Sequence, residues 1–208
     1  MILGVGTDLI EIRRMEKACK KDYFVVRTFT DMESRQAKGS ASKLDGSFAV
    51  KEAVAKAVTA EAVATAGYDS VEAAAKDGTA FVFMGHGTSH TAKVSYSQMQ
   101  TAMQTLGYSN VFIGTVEGEP EETACENVIE AVKAAGYTKV ILRPLMVVAG
   151  DHANNDMAGA DDDSWLSQFQ ASGDFASVEC QIAGLGEIED IQQRYIEHTK
   201  AAIDSLNG

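Results

Sequence analysis

Phe81-Val82-Phe83-Met84-Gly85-His86-Gly87-Thr88 decides the fold of this chain. Four successive apolar residues, aromatic and β-branched among them, predict a short strand covered on both faces. The run ends in a histidine between two glycines, small neighbours that let backbone and imidazole approach a bulky ligand. Two later segments repeat the plan. Val111-Phe112-Ile113 leads to Glu117, and Leu145-Met146-Val147-Val148 leads through Ala149-Gly150-Asp151 to His152. Parallel α/β sheets place ligands at the C-terminal ends of their strands. His86, Glu117 and His152, delivered there together, make a donor set suited to a borderline divalent metal.

The surrounding pattern supports that sheet. Strands are predicted at Ala80–Met84, Asn110–Thr115, Lys139–Val148 and Ser177–Ile182. Helices are predicted at about Ser95–Leu106, Pro120–Ala135, Asp162–Ala171 and Ile188–Leu206. Gly107 and Gly136 stop the first two of these helices. Pro120 suits a first helical turn, and Glu119, Glu121 and Glu122 suit the positive end of its dipole. This βαβαβαβα alternation predicts a parallel sheet with right-handed crossovers, an α/β fold layered by helices. Upstream, Met1–Ile12 reads as a strand and Arg13–Lys21 as a short helix. Thr30 to Glu33 resembles a capping box. Gly39–Ser42 reads as a loop, Asp45 to about Ala66 as an Ala-rich helix, and Val71–Lys76 as a short helix closed by Asp77-Gly78. The N-terminal part is thus a small α+β segment.

Composition bounds the function. The chain has 208 residues, 45% of them hydrophobic, and a net charge of −12. That charge argues against a nucleic-acid phosphate partner. No apolar run reaches transmembrane length, and Met1-Ile2-Leu3-Gly4 has no basic region of a signal peptide. Cys19, Cys125 and Cys180 are far apart and form no CxxC pattern, as for free thiols in a reducing cytoplasm. Residues 1–60 hold eleven Lys/Arg and eight Asp/Glu, whereas 61–208 hold seven and twenty-two. Such a shift marks a domain junction.

Other polar residues have simpler readings. His90, four residues after His86, is a weak candidate for a helical HxxxH pair. Glu119, next to Pro120, fits helix-end charge compensation and leaves Glu117 free for chemistry. Asp151 and Asp156 suit an orienting role beside His152. Asp161-Asp162-Asp163 reads as a helix start, Trp165 as core, and Met99 and Met103 as packing.

Several ordered motifs carry a resemblance. They are Val82–Thr88, Val111–Gly118, Arg143–Ala153, Asn155–Gly159, Asp163-Ser164-Trp165 and Gly184-Leu185-Gly186-Glu187. Together, over residues 68–208, they resemble the C-terminal half of the anaerobic sirohydrochlorin cobaltochelatases of cobalamin biosynthesis. The resemblance implies that His86, Glu117 and His152 bind Co2+, the substrate metal, and act in catalysis. It implies that the tetrapyrrole lies over the strand ends and that His86 helps remove pyrrole N–H protons. Arg143, Lys93 and helix-start amides are the candidates to hold the tetrapyrrole carboxylates. The donor set itself accepts cobalt, nickel and iron. That family's usual chain has two similar halves, and the first is absent here. Short single-half relatives pair as homodimers, so the resemblance implies a homo-oligomer.

A second resemblance covers residues 1–58. Met1–Ile12, Phe29-Thr30 and Gly46–Ala57 resemble the first half of holo-acyl-carrier-protein synthase, a phosphopantetheinyl transferase that uses coenzyme A and Mg2+. Asp8 and Glu52 stand at its metal carboxylates, and Lys51 and Lys56 would lie near the coenzyme A phosphates. Ser47 stands where that family has arginine, and the strands that complete its domain are missing. The expected organisation is therefore a fusion. An N-terminal segment, 1–67, precedes a chelatase-like domain, 68–208. Transferase activity, or metal or tetrapyrrole binding without turnover, are the alternatives to cobalt insertion.

Overall fold

The computed structural model describes residues 40–207 together with Cys19, Lys20, Phe29, Ser34, Arg35, Ala37 and Lys38; within 41–50 the backbone alone is described. The strand and helices expected before residue 34 lie outside the described residues, except for Cys19 and Lys20.

Four strands form one parallel sheet: β1 (Thr79–Gly85), β2 (Val111–Thr115), β3 (Lys139–Pro144) and β4 (Ser177–Cys180). Their order is β2-β1-β3-β4. Phe81 faces Val111 on one side and Ile141 on the other. Every residue of β1 is buried, which explains why its sequence is a continuous apolar run rather than an alternation.

Alternate β1 residues serve two cores. Phe81 and Phe83 pack with α1 (Ala41–Thr65), α2 (Val71–Lys76) and α3 (Val94–Thr105), through Val58, Ala62, Val71 and Met103. Ala80, Val82 and Met84 pack with α4 (Cys125–Ala134) and α5 (Trp165–Ala171), through Val128, Val132, Trp165 and Phe169. The result is three layers, α/β/α. The first core takes in residues on both sides of position 67, with Ala55, Val58 and Ala62 beside Val71. A last helix, α6 (Glu189–Asn207), starts against the first core through Ile188 and Ile191. Among the described residues, no helix is long and apolar enough to cross a membrane.

Some boundaries depart from expectation. β3 ends at Pro144, not Val148, and Val148 is 72% exposed. Its neighbours end at Gly85 and Cys180, so the residues that follow have no strand to pair with. β4 likewise stops at Cys180, two residues early. The helix expected from Pro120 is broken. A 3-10 turn, Glu121–Thr123, precedes α4, and Ala124 between them is extended (ψ 147°). Thr123 causes the break. Its hydroxyl bonds the Pro120 carbonyl and the Thr115 hydroxyl, each at 2.6 Å, so side-chain bonding competes with helix geometry. α5 begins at Trp165 because the Ser164 hydroxyl caps it, accepting from the Ser167 amide. α1 begins at Ala41, within the expected loop, since Ala41 and Ser42 tolerate helix well.

Cys125 and Cys180 are free thiols. Burial, with Glu126 adding to it, pushes the Cys125 thiol up to about 12, and burial pushes Cys180 up to about 11. Against an ordinary thiol near 8.5, Cys125 then holds roughly a thousandfold less thiolate at pH 8. A disulfide reagent should therefore label Cys125 far more slowly in the folded protein than in urea. Equal rates, followed by mass mapping, would refute that burial.

Candidate functional site

The strand order has a switch point. From β1 the chain crosses to β2 on one side, then returns to β3 on the other. Crevices open at the C-terminal ends of strands where connections diverge in this way. β1 and β3 are the strands that flank it, and His86 and His152 follow them. The imidazoles meet edge to face, with centroids 4.7 Å apart and planes at 83°.

The glycines around His86 have internal duties. A Cβ on Gly85 would lie 2.4 Å from the Tyr96 ring. Gly87 takes φ +93°, and a Cβ there would lie 2.7 Å from the Cβ of Glu117. Gly87 thus allows the loop after β1 to close on the loop after β2. The Gly87 amide donates to the Tyr96 hydroxyl at 2.9 Å. The Glu117 amide donates to the His86 carbonyl at 2.9 Å, continuing the strand ladder past its end. Glu117 is therefore fixed beside His86 by backbone, with its own side chain exposed.

Hydrogen bonding orients both rings. His86 Nδ1 lies 2.9 Å from the Gly87 carbonyl, and His152 Nδ1 lies 2.5 Å from an Asp156 carboxylate oxygen. A carbonyl and a carboxylate can only accept, so each Nδ1 carries a proton, and in the neutral ring Nε2 is then the atom that presents a lone pair. Asp156 sits four residues after His152, on the π-type turn Ala153–Met157. Ala153 and Met157 are fully buried and pin that turn. The preceding loop is held in turn by Leu185 and Gly186, whose amides donate to the Met146 and Val147 carbonyls at 2.8 Å.

The remaining expected residues fall differently. Arg143 is 2% exposed and donates to Gln181 Oε1 at 2.9 Å. Gln181 in turn donates to the Ala62 carbonyl of α1 at 3.0 Å. Burial disfavours the Arg143 charge, and the Glu61 and Glu187 carboxylates favour it. In this conformation Arg143 ties β3 to α1 and does not face the open edge. Arg143→Ala should cost about 1.5–3 kcal/mol, the usual range for a lost charge-assisted bond. An unchanged urea midpoint would contradict that role. Lys93 is partly exposed and paired with Glu119 at 2.7 Å. His90 caps the turn Thr91–Lys93, its ring nitrogen accepting from the Ala92 amide. Tyr96, which sequence reasoning did not single out, anchors the Gly87 amide. A tyrosine in the first turn of α3 carries no motif that would have marked it.

Among the described residues, no three His, Cys, Asp or Glu side chains stand close enough to hold an ion as they are. Of the N-terminal candidates, Asp8 lies outside the described residues. Glu52 is 7% exposed within α1, and Lys51 donates to Gln98 Oε1 at 2.7 Å.

Comparison with known proteins identifies the family. Residues 53–204 match the family model described as cobalt chelatase (CbiK). Sirohydrochlorin cobaltochelatase of Salmonella typhimurium is 40% identical over 123 residues, covering 59% of this chain and 44% of that protein. Sirohydrochlorin cobaltochelatase CbiKC of Nitratidesulfovibrio vulgaris is 34% identical over 134 residues, covering 64% and 45%. The chain thus spans less than half the length of these relatives. A separate segment is similar to holo-[acyl-carrier-protein] synthase of Lachnoclostridium phytofermentans, 45% identical over 56 residues, or 27% of this chain and 46% of that enzyme. With most of its length matched, and with two histidines meeting at the switch point of a parallel sheet, the chain belongs to the cobalt chelatase (CbiK) family.

Proposed function

We propose that this protein inserts Co2+ into sirohydrochlorin. The observation that carries the reading is the meeting of His86 and His152, each with Nδ1 engaged and Nε2 free, beside the backbone-fixed Glu117. Imidazole and carboxylate suit cobalt in softness. A metal that is substrate must also leave, which favours an open donor set over a closed one. Side-chain rotation of the exposed Glu117 toward the two rings would complete it.

In the reaction the tetrapyrrole gives up two pyrrolic N–H protons, one to His86 and one to bulk water, and its four ring nitrogens take up Co2+ in their place. The Nε2 of His86 accepts a proton as the metal passes inward, which an imidazole can do near neutral pH. His152 and Glu117 hold the ion meanwhile. Local acidity, from Glu117, Glu119, Asp151 and Asp156, attracts a divalent cation to this edge. The same field opposes a polycarboxylate, so Lys93 and helix-start amides are the groups that offset it; Arg143 joins them only if its side chain leaves Gln181.

The assembly proposed for this reaction is a homo-oligomer. A cytoplasmic location follows from the reduced thiols this reading expects. A second activity, Mg2+-dependent phosphopantetheinyl transfer from coenzyme A with Asp8 and Glu52 as ligands, draws support from the similarity of the separate segment to holo-acyl-carrier-protein synthases. The buried setting of Glu52 makes it the weaker reading.

The test is the absorbance change on mixing full-length protein, Co2+ and sirohydrochlorin. Insertion faster than the spontaneous rate is expected. A rate equal to the spontaneous one would refute cobalt insertion.

A further inference from the structure

The peptide that joins His86 to Gly87 is held at both of its polar groups. Its N–H donates to the Tyr96 hydroxyl at 2.9 Å, and its C=O accepts from the Glu117 amide at 2.9 Å. Gly87 is buried, so its N–H depends on a protein partner. A peptide whose N–H is engaged is a better acceptor at its carbonyl. The two bonds therefore reinforce each other, and they meet in the one peptide that links His86 to the backbone of Glu117.

Tyr96 is itself held from several sides. It stands in the first turn of α3, and its ring packs over Gly85, where a Cβ would lie 2.4 Å away. One turn on, on the same helix face, Gln100 reaches the edge of β2. Its Nε2 donates to the Val111 carbonyl at 2.9 Å, and its Oε1 accepts from the Ile113 amide at 2.8 Å. These are groups that an edge strand leaves open, so Gln100 fixes the height of α3 along the sheet. Lys93 and Ser97, on either side of Tyr96, bond Glu119 and Glu122 at 2.7 Å each. They tie the same helix start to the loop that carries Glu117. A helix locked in register with β2 thus presents one hydroxyl to the loop after β1.

We propose that Tyr96 is a positioning residue for metal uptake. Its hydroxyl, acting through the His86–Gly87 peptide, sets His86 and Glu117 relative to each other. This rests on the reading that His86, Glu117 and His152 receive Co2+. A working donor set is held to within about 0.5 Å by the groups behind it. The Glu117 side chain is exposed and must turn toward the rings, so its backbone is the part the fold can fix.

Tyr96→Phe keeps the ring over Gly85 and removes the hydroxyl alone. Hydrogen exchange on the metal-free full chain is the first readout. The Gly87 and Glu117 amides should speed up at least about 10-fold more than those of Val82 and Phe83 in β1. Titration with Co2+, followed by its ligand-field absorption, is the second. Binding should weaken about 10–100-fold, the usual effect of removing a group that orients metal ligands. Tyr68→Phe is the control. It removes a phenol hydroxyl bonded to Asp77 and Thr79 at the opposite end of β1, and should lower the urea midpoint while Co2+ binding stays parental. Parental exchange or parental Co2+ affinity in Tyr96→Phe would overturn the proposal and leave the metal site standing. Equal weakening in Tyr68→Phe would overturn it too, since general loss of stability would then explain the effect. A parent that takes up no Co2+, or whose His86→Ala form binds it unchanged, would refute the metal reading itself and the proposal with it.

Discussion

His152→Ala is expected to insert Co2+ into sirohydrochlorin at least about 100-fold more slowly than the parent, the low end for loss of a positioned proton-transfer or ligand group. His152 is the donor whose ring is most constrained, by the Asp156 carboxylate on one side and the His86 ring on the other. Its removal leaves His86 without its neighbour and Asp156 without its partner. Asp156→Ala should lose about 10–100-fold, the usual effect of removing an orienting carboxylate from a metal-binding histidine. Asp156→Asn should lose less, because the amide oxygen still accepts from Nδ1. Single-turnover absorbance at saturating tetrapyrrole separates these from binding defects. An Asp156→Ala protein with the parental rate would remove Asp156 from the site.

Trp165→Ala should destabilise the fold by about 3–5 kcal/mol, the range for a buried aromatic residue cut to alanine. Trp165 is 3% exposed, stacks on Phe169 with centroids 6.0 Å apart, and lies over Gly114 of β2. A Cβ on Gly114 would stand 2.2 Å from the ring carbon Cη2. Gly114→Ala in the parent should therefore cost about 1–3 kcal/mol through overpacking. In the Trp165→Ala background the same change should cost little, since the ring it strikes is gone. Urea unfolding of the four proteins gives the coupling. Strictly additive costs would contradict the contact.

These residues also show what the sequence could convey. Four strands and their helices were legible because β1, β2 and β3 are continuous apolar runs, and Gly107 and Gly136 stop helices. The apolar run Leu145–Val148 misled, since hydrophobicity reports burial only where a neighbouring strand exists to pair with. Thr123 broke the helix expected from Pro120 through hydroxyl bonds that periodicity does not register. His86 was legible at the end of β1, whereas His152 stands eight residues past the end of β3 and not four past it as expected. Their contact was not, because it depends on the order β2-β1-β3, which places β1 beside β3. The glycines beside His86 were legible as a close approach, and within the chain the groups that approach them are Tyr96 and Glu117. Arg143 was a candidate to hold tetrapyrrole carboxylates and stands here as a buried tie, to a partner, Gln181, that lies 38 positions away.

The account stands on His86, Glu117 and His152 acting as one metal-receiving site. Titration with Co2+, followed by its ligand-field absorption, tests this in the parent and in the His86→Ala, Glu117→Ala and His152→Ala proteins. The account predicts that the parent binds one Co2+ with an imidazole-bearing spectrum and that each substitution weakens or abolishes it. Binding of the same strength and spectrum in all four proteins would contradict it.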